Sequence, residues 1–275
     1  MTVFLFIFTD CGIYAIENET SYDIIVSKDG TIKSIQDAID IANYHDMILI
    51  KNGTYFENIV IDKSVTLIGE NRTTTIIDGR KAGNVIKINS EQVNIFNLTI
   101  QHSGIYFPNS GINLSSTDST IKNNIIQNNF YGMTIHNGQN NVIEKNLIQK
   151  NQNCGIYMSN SSKNNIFENI ITNHTYNGIG IYDSSDDNII QENTLTKNGY
   201  CALNIRISHG NLITRNTISR NNIGIHIPST QNNISQNILT NNTKDYDEEL
   251  LTPGFVLTSL FISLMFIVVI KRLYD

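Results

Sequence analysis

Residues 121–149, IKNNIIQNNFYGMTIHNGQNNVIEKNLIQ, carry one pattern twice. Ile121 precedes Asn124 by three positions and Ile126 follows it by two, and Ile143, Asn146 and Ile148 repeat that spacing. Further along, the trio recurs as Ile166-Asn169-Ile171, Ile190-Asn193-Leu195, Ile213-Asn216-Ile218 and Ile234-Asn237-Leu239. A second series, Gly111, Gly132, Gly155, Gly178, Ala202 and Gly224, is followed each time by apolar residues at its first and third positions. A period of about 21 to 24 residues belongs to solenoids. Equal positions of successive coils then stack about 4.8 Å apart. Isoleucines form apolar columns inside, and asparagines form amide ladders at turns, where they tolerate left-handed backbone. Leucine-rich repeats share the period but need leucines at fixed spacing and an Asn/Cys motif that this chain lacks. The expected fold is all-β: a right-handed single-stranded parallel β-helix of about eight coils, a rod roughly 40 Å long, with a short N-terminal capping helix and a C-terminal transmembrane helix.

Composition agrees with an ordered repeat. Charged residues make up 16% of the 275, Trp is absent, only 3 are Pro and about 40 are Asn. An Asn-rich tract without phase reads as disordered, but here the asparagines alternate with isoleucine in register. A net charge of −6 leaves no basic face for nucleic acid. Cys11, Cys154 and Cys201 are too few and too uneven for a disulfide framework.

The ends differ from the middle. Residues 1–16 contain the apolar run Val3 to Phe8 and the Gly12-Ile13-Tyr14-Ala15 stretch, and read as a truncated signal peptide. In 23–58, the cap and first strands, Ser34 is placed to cap a helix whose Ile35, Ala38, Ile39 and Ala42 share one face. Short β runs follow at Met47–Ile50 and Asn58–Ile61, split by turn residues, and leave no room for the long crossover of a βαβ fold. Repeats occupy 59–242 and an acidic linker 243–252. Within 253–275, Gly254 to Ile270 is uncharged, at the short limit for a membrane span. Lys271 and Arg272 follow directly, which orients the bulk of the chain to the outside.

Pro253, Gly254 and Phe255, with the apolar span and the terminal Lys-Arg pair, resemble the PGF-CTERM sorting signal of archaeal surface proteins. That resemblance implies an archaeal cell surface and processing by an archaeosortase. The order DGT, SIQ, NGTY, ENI and TLIGE between Asp29 and Glu70 resembles the start of pectin-lyase-like β-helix proteins. The catalytic motifs of pectinesterases in that superfamily are not found downstream. Over residues 59–242 the repeated Asn-x-Ile/Leu and Gly-Ile-x-Ile patterns resemble the NosD-type β-helix family, also described as carbohydrate-binding and sugar-hydrolase repeats. The family name comes from a periplasmic protein that helps supply copper to an enzyme, and the repeat itself is a signature of fold more than of activity.

Strand alternation directs the second and fourth positions after each glycine outward. One outward column holds Asn113, Thr134, Tyr157, Asn204 and His226, and its neighbour holds Ser115, His136, Ser159, Tyr182 and Arg206. Aromatic faces that stack on sugar rings, beside Arg, Asn and His that bond hydroxyls and carboxylates, suit a glycan. A solvated β face carrying ordinary Tyr and Arg is the alternative. Asp186-Asp187 and His209-Gly210 resemble the acid–base elements of polygalacturonases, but they fall in a turn, not a strand, and Ser208 replaces a glycine. Asp183, Asp186 and Asp187 offer oxygens for Ca²⁺, or form an acidic solvated turn. Cys154 and Cys201 share a phase two coils apart, about 9 to 10 Å, too far for a disulfide or a common metal. Copper delivery therefore rests on the family name alone. The expectation is a surface-anchored β-helix that binds polysaccharide or scaffolds the envelope without catalysis, with no required cofactor; the alternative is a polysaccharide lyase, epimerase or hydrolase.

Overall fold

The computed structural model describes residues 5–9, 12–16, 21–228 and 231–247. Three parallel sheets of ten, nine and nine strands run the length of a right-handed β-solenoid. Each coil gives one strand to each sheet in turn. The first complete coil is Met47–Ile50, Gly53–Tyr55 and Ile59–Ile61; the last is Asn233–Ser235, Ile238–Thr240 and Lys244–Tyr246. Nine full coils, preceded by Ile24–Val26 in the first sheet, exceed the eight expected. The early coils form without the Asn trio, and Lys244–Tyr246, expected in the acidic linker, pairs with Ile223–His226 as the final rung.

Ladder register explains the sequence pattern. Leu67, Ile95, Ile121, Ile143, Ile166, Ile190 and Ile213 stack as one inward column, and Ile77, Ile100, Ile126, Ile148, Ile171, Leu195 and Ile218 as another. Every one of these side chains is buried. Each contributes roughly 1.5–3 kcal/mol by leaving water, and the β-branch suits the pleated surface. In the last coil Ile234, Leu239 and Tyr246 are only partly buried.

Three asparagine ladders run along the turns, where the spacing argument had found one. Asn124, Asn146, Asn169, Asn193, Asn216 and Asn237 bond in series, each backbone N–H and side-chain Nδ2 donating to the Oδ1 one coil on. Asn141, Asn164, Asn188, Asn211 and Asn232 form the second. Asn129, Asn151, His174, Asn198, Asn221 and Asn242 form the third. The expected left-handed geometry belongs not to the ladder asparagines but to the residue before each. Asn123, Lys145, Glu168, Glu192, Arg215 and Gln236 take φ between 54° and 57°. The division is physical: the buried amide needs a fixed aim, and the strained turn residue needs only to point into solvent.

The helix Ile35–Ile41 starts as expected, with Ser34 Oγ accepting from Asp37 N at 3.2 Å. Glu57, from the next coil, completes that end: its carboxylate accepts from Ile35 N and Gln36 N at 3.0 Å each. Ile35, Ala38, Ile39 and Ala42 are buried and join the core. Leu5–Thr9 and Gly12–Ile16, inside the expected signal peptide, pair antiparallel as a separate sheet. Among the described residues no helix is long and apolar enough to cross a membrane. The segment 253–275, with Pro253, Gly254 and Phe255, lies outside them.

Candidate functional site

Aromatic side chains cluster on the outer face of the third sheet. Register places Asn113, Thr134, Tyr157, Gly180, Asn204 and His226 in one column. His136, Ser159 and Tyr182 stack beside them. Gly180 leaves a gap that the Tyr182 ring fills; a Cβ there would meet Tyr182 Cε2 at 2.5 Å. Held flat, Tyr182 accepts from Asn177 Nδ2 at 2.9 Å through its hydroxyl. Its ring lies 5.1 Å from that of Tyr157. Tyr157 in turn lies 5.4 Å from Tyr131, and Phe107 stands edge-on to both at 6.1 and 6.3 Å.

Phe107 and Pro108 come from the turn between the second and third sheets and wall a cleft of about 280 Å³ against Asn113, Ser115, Thr134, His136 and Tyr157. The spacing argument did not find Phe107, Pro108 or Tyr131. A signal was present: nine residues separate Gln101 from Gly111, where four separate Gln127 from Gly132. The extra length carries Ile105, Tyr106 and Phe107, exposed by 45%, 73% and 66%, an expense in apolar surface that a plain turn avoids.

Of the expected glycan-face residues, Thr134, His136 and Tyr157 line this cleft and Tyr182 adjoins it. Thr134 is nonetheless buried, with Oγ1 bonded to Asn113 Nδ2 at 2.9 Å and to Ser110 Oγ at 3.0 Å. Arg206 is exposed beyond the end of its strand, and neither it nor Asn204 nor His226 lines the cleft. Burial pushes the Tyr131 phenol up to about 12, with the neighbouring Cys154 and Tyr157 adding to it. Burial likewise raises Tyr157, helped by Asp183, and Tyr182, beside Cys154. The aromatic floor therefore stays uncharged near neutral pH.

A second cluster lies farther along the same face. Asn204 and His226 are 3% and 5% exposed, and the Oδ1 of one and the Nε2 of the other have no hydrogen-bond partner. His226 Nδ1 engages Asp247 Oδ2 across a short contact, and Lys244 Nζ holds the other carboxylate oxygen at 3.0 Å. Salt-bridging and hydrogen bonding from Lys244, then His226, hold Asp247 below the usual carboxylate range despite some burial. Cys201 and Cys154 are buried free thiols that stand outside the apolar core, and burial pushes each up to about 12.

The acidic turn does not converge. Asp183 Oδ2 accepts from Ser159 Oγ at 3.2 Å, while Asp186 Oδ1 accepts from His209 N at 2.7 Å. Among the described residues no three His, Cys, Asp or Glu side chains gather as a metal site.

No curated protein matches the chain. Solved structures share its fold at low identity. The catalytic domain of a GH87 α-1,3-glucanase in complex with nigerose is 18% identical with a TM-score of 0.62, over 82% of this chain and 44% of that one. The Dettilon tailspike protein is 14% identical with a TM-score of 0.58, over 70% and 48%. A pectin methylesterase in complex with hexasaccharide IV is 16% identical with a TM-score of 0.54, over 73% and 80%. The chain thus spans less than half of the first two. Its repeats and sheets are those of the family described as periplasmic copper-binding protein (NosD), whose model matches residues 70–249, and the chain belongs to that family.

Proposed function

We propose that this protein binds a glycan in the aromatic cleft of its third sheet, without cleaving it, on the outer side of a cell membrane. The cleft carries the reading: Tyr157 and Phe107 give perpendicular apolar walls for a sugar ring, and Asn113, Ser115, Thr134 and His136 surround it with hydroxyl-bonding groups. Carboxylates are missing from this lining, and glycoside hydrolysis needs a pair of them across the scissile bond. The location draws on the family's periplasmic description and on the uncharged Gly254–Ile270 stretch.

Glycan-array binding of the full chain in detergent, with reducing-end release measured on every hit, tests the reading. Binding without release is the expected result, and Tyr157→Ala should weaken it at least about 10-fold, the loss of one stacking face. Release of reducing ends would make the protein an enzyme, and absence of any hit would leave a scaffold. Flotation with vesicles, lost when residues 253–275 are deleted, tests the anchor separately.

A further inference from the structure

Nine Asn-x-Ser/Thr triplets occur in the chain, none with proline in the middle. Each has the pattern that N-glycosylation reads, and a chain so rich in asparagine reaches that number by chance. The fold separates them. An acceptor must offer a free, solvent-facing amide nitrogen, and the hydroxyl two residues on serves it most directly when it bonds that same carboxamide.

Most triplets fail on one count or the other. Asn97 is half-buried, its Oδ1 accepts from Asn123 Nδ2 at 2.7 Å, and the Thr99 hydroxyl donates elsewhere, to the Arg72 carbonyl. Asn113 and Asn160 commit Nδ2 to Thr134 and Asn137. Asn52 Oδ1 holds the hydroxyls of Thr74 and Thr75 instead of that of Thr54. Ser235, two residues beyond Asn233, bonds Thr214. Asn173 and Asn241 are exposed, yet among the described residues only Asn71 bonds the hydroxyl of its own triplet.

Asn71 is exposed in the turn between Thr66–Gly69 of the first sheet and Thr75–Asp78 of the second. Its Oδ1 accepts from Thr73 N at 2.9 Å and from Thr73 Oγ1 at 2.7 Å. Its carbonyl accepts from Thr74 N at 3.1 Å and Thr75 N at 2.8 Å, and its own N–H donates to Thr75 Oγ1 at 3.3 Å. Nδ2 is thus the one polar atom of the residue that the turn leaves to solvent. Arg72, the middle residue of the triplet, ties the turn to the rod by donating from Nη1 to Asn123 Oδ1 at 2.7 Å.

We infer that Asn71 is an N-glycosylation site, taking an oligosaccharide on Nδ2 from a lipid-diphosphate-linked donor. The bond from Nδ2 to C1 of the first sugar forms as the bond from C1 to the diphosphate oxygen breaks. The electron pair leaves with the lipid diphosphate, one Nδ2 proton goes to a base of the transferase, and nothing is oxidised or reduced. The inference rests on the outer-side placement proposed above and not on the cleft. Because the turn joins the first two sheets, a sugar there leaves the cleft of the third sheet open.

The folded full chain, in detergent, is incubated with an oligosaccharyltransferase specific for Asn-x-Ser/Thr and its lipid-diphosphate-linked oligosaccharide, alongside a capped peptide of residues 68–76 that is itself glycosylated. Intact mass and the tryptic peptide Ser64–Arg72 give the readout. One added oligosaccharide is expected, with Asn71 modified about 10-fold or more faster than any other triplet, the effect of one hydrogen bond on the presented pose. Asn71→Gln and Thr73→Val should abolish it and Thr73→Ser restore it, with circular dichroism confirming that each variant is folded. A bare folded chain beside a modified peptide, or equal transfer to Asn173 or Asn241, would overturn the assignment. The chain purified from the cells that make it reads the side of the membrane separately. A glycan on Asn71 there supports both readings, whereas a bare Asn71 in a chain that accepts the sugar in vitro would strike the outer placement and leave the acceptor standing.

Discussion

His174 sits where its ladder has asparagine in the neighbouring coils, and it does the same work with different atoms. Nδ1 accepts from Asn151 N at 3.2 Å, and Nε2 reaches the Ile148 carbonyl at 3.2 Å. This demands the neutral Nε2–H tautomer, and burial lowers the imidazole to about 4, against weaker opposing bonds to Ile148 and Asn151. A histidine whose folded value lies below its unfolded value of about 6.5 binds more protons when unfolded, so stability rises with pH through that window. The contribution is complete above pH 6.5, falls as pH drops and is gone below about 4, a change of roughly 3 kcal/mol. His174→Asn should flatten denaturation midpoints between pH 6.5 and 4 while keeping the ladder; an unchanged pH profile would place the acid sensitivity elsewhere. Gly180 is a second position that one atom decides. Gly180→Ala should lift the Tyr182 ring, cost about 1–3 kcal/mol, and speed the reaction of the buried thiols with a thiol reagent.

At the scale of elements, what repeats at every rung was legible and what occurs once was not. Ile121, Asn124 and Ile126 announce their strands and turn because five further coils restate them. Glu57 is silent in sequence: nothing local says that a carboxylate 21 residues from Gln36 will accept the first N–H groups of the helix. Glu57→Gln keeps the shape and removes the charge, and should lower stability by about 1 kcal/mol, read as a shift in thermal midpoint without loss of the solenoid's β signal. The turn holding Phe107 and Pro108 is likewise unique, and only the break in spacing betrays it. Alternation assigns Asn204 and His226 to the outward columns, yet both are buried, which strand alternation alone does not reveal. Shortening the turn to the length found before Gly132 should abolish glycan binding and leave the fold intact, since its residues lie outside the core.

For the whole molecule, stability is a chain of nearest-neighbour terms, so position along the rod should set the cost of the same substitution. Asn169 donates from N and Nδ2 to Asn193 Oδ1 at 3.0 Å, donates to the Ile143 carbonyl at 2.8 Å, and accepts both donors of Asn146 at 3.0 Å. Alanine there strands several buried polar groups and should cost about 3 kcal/mol or more. Asn237 accepts from Asn216 at 2.9 Å and donates to the Ile213 carbonyl at 2.8 Å, in partly buried surroundings at the end of its ladder. Asn237→Ala should cost about 1 kcal/mol. The same asymmetry predicts where the rod opens first. Ile234 and Leu239 are only partly buried where Ile213 and Ile218 beneath them are fully so, and the solenoid can shed its last coil without exposing the column below along its length. Amide exchange should therefore be fastest in Asn233–Tyr246 and slow progressively toward the middle coils. Uniform protection along the axis would instead mean that the coils open together, and Asn169→Ala and Asn237→Ala would then accelerate exchange everywhere alike rather than on their own side of the break.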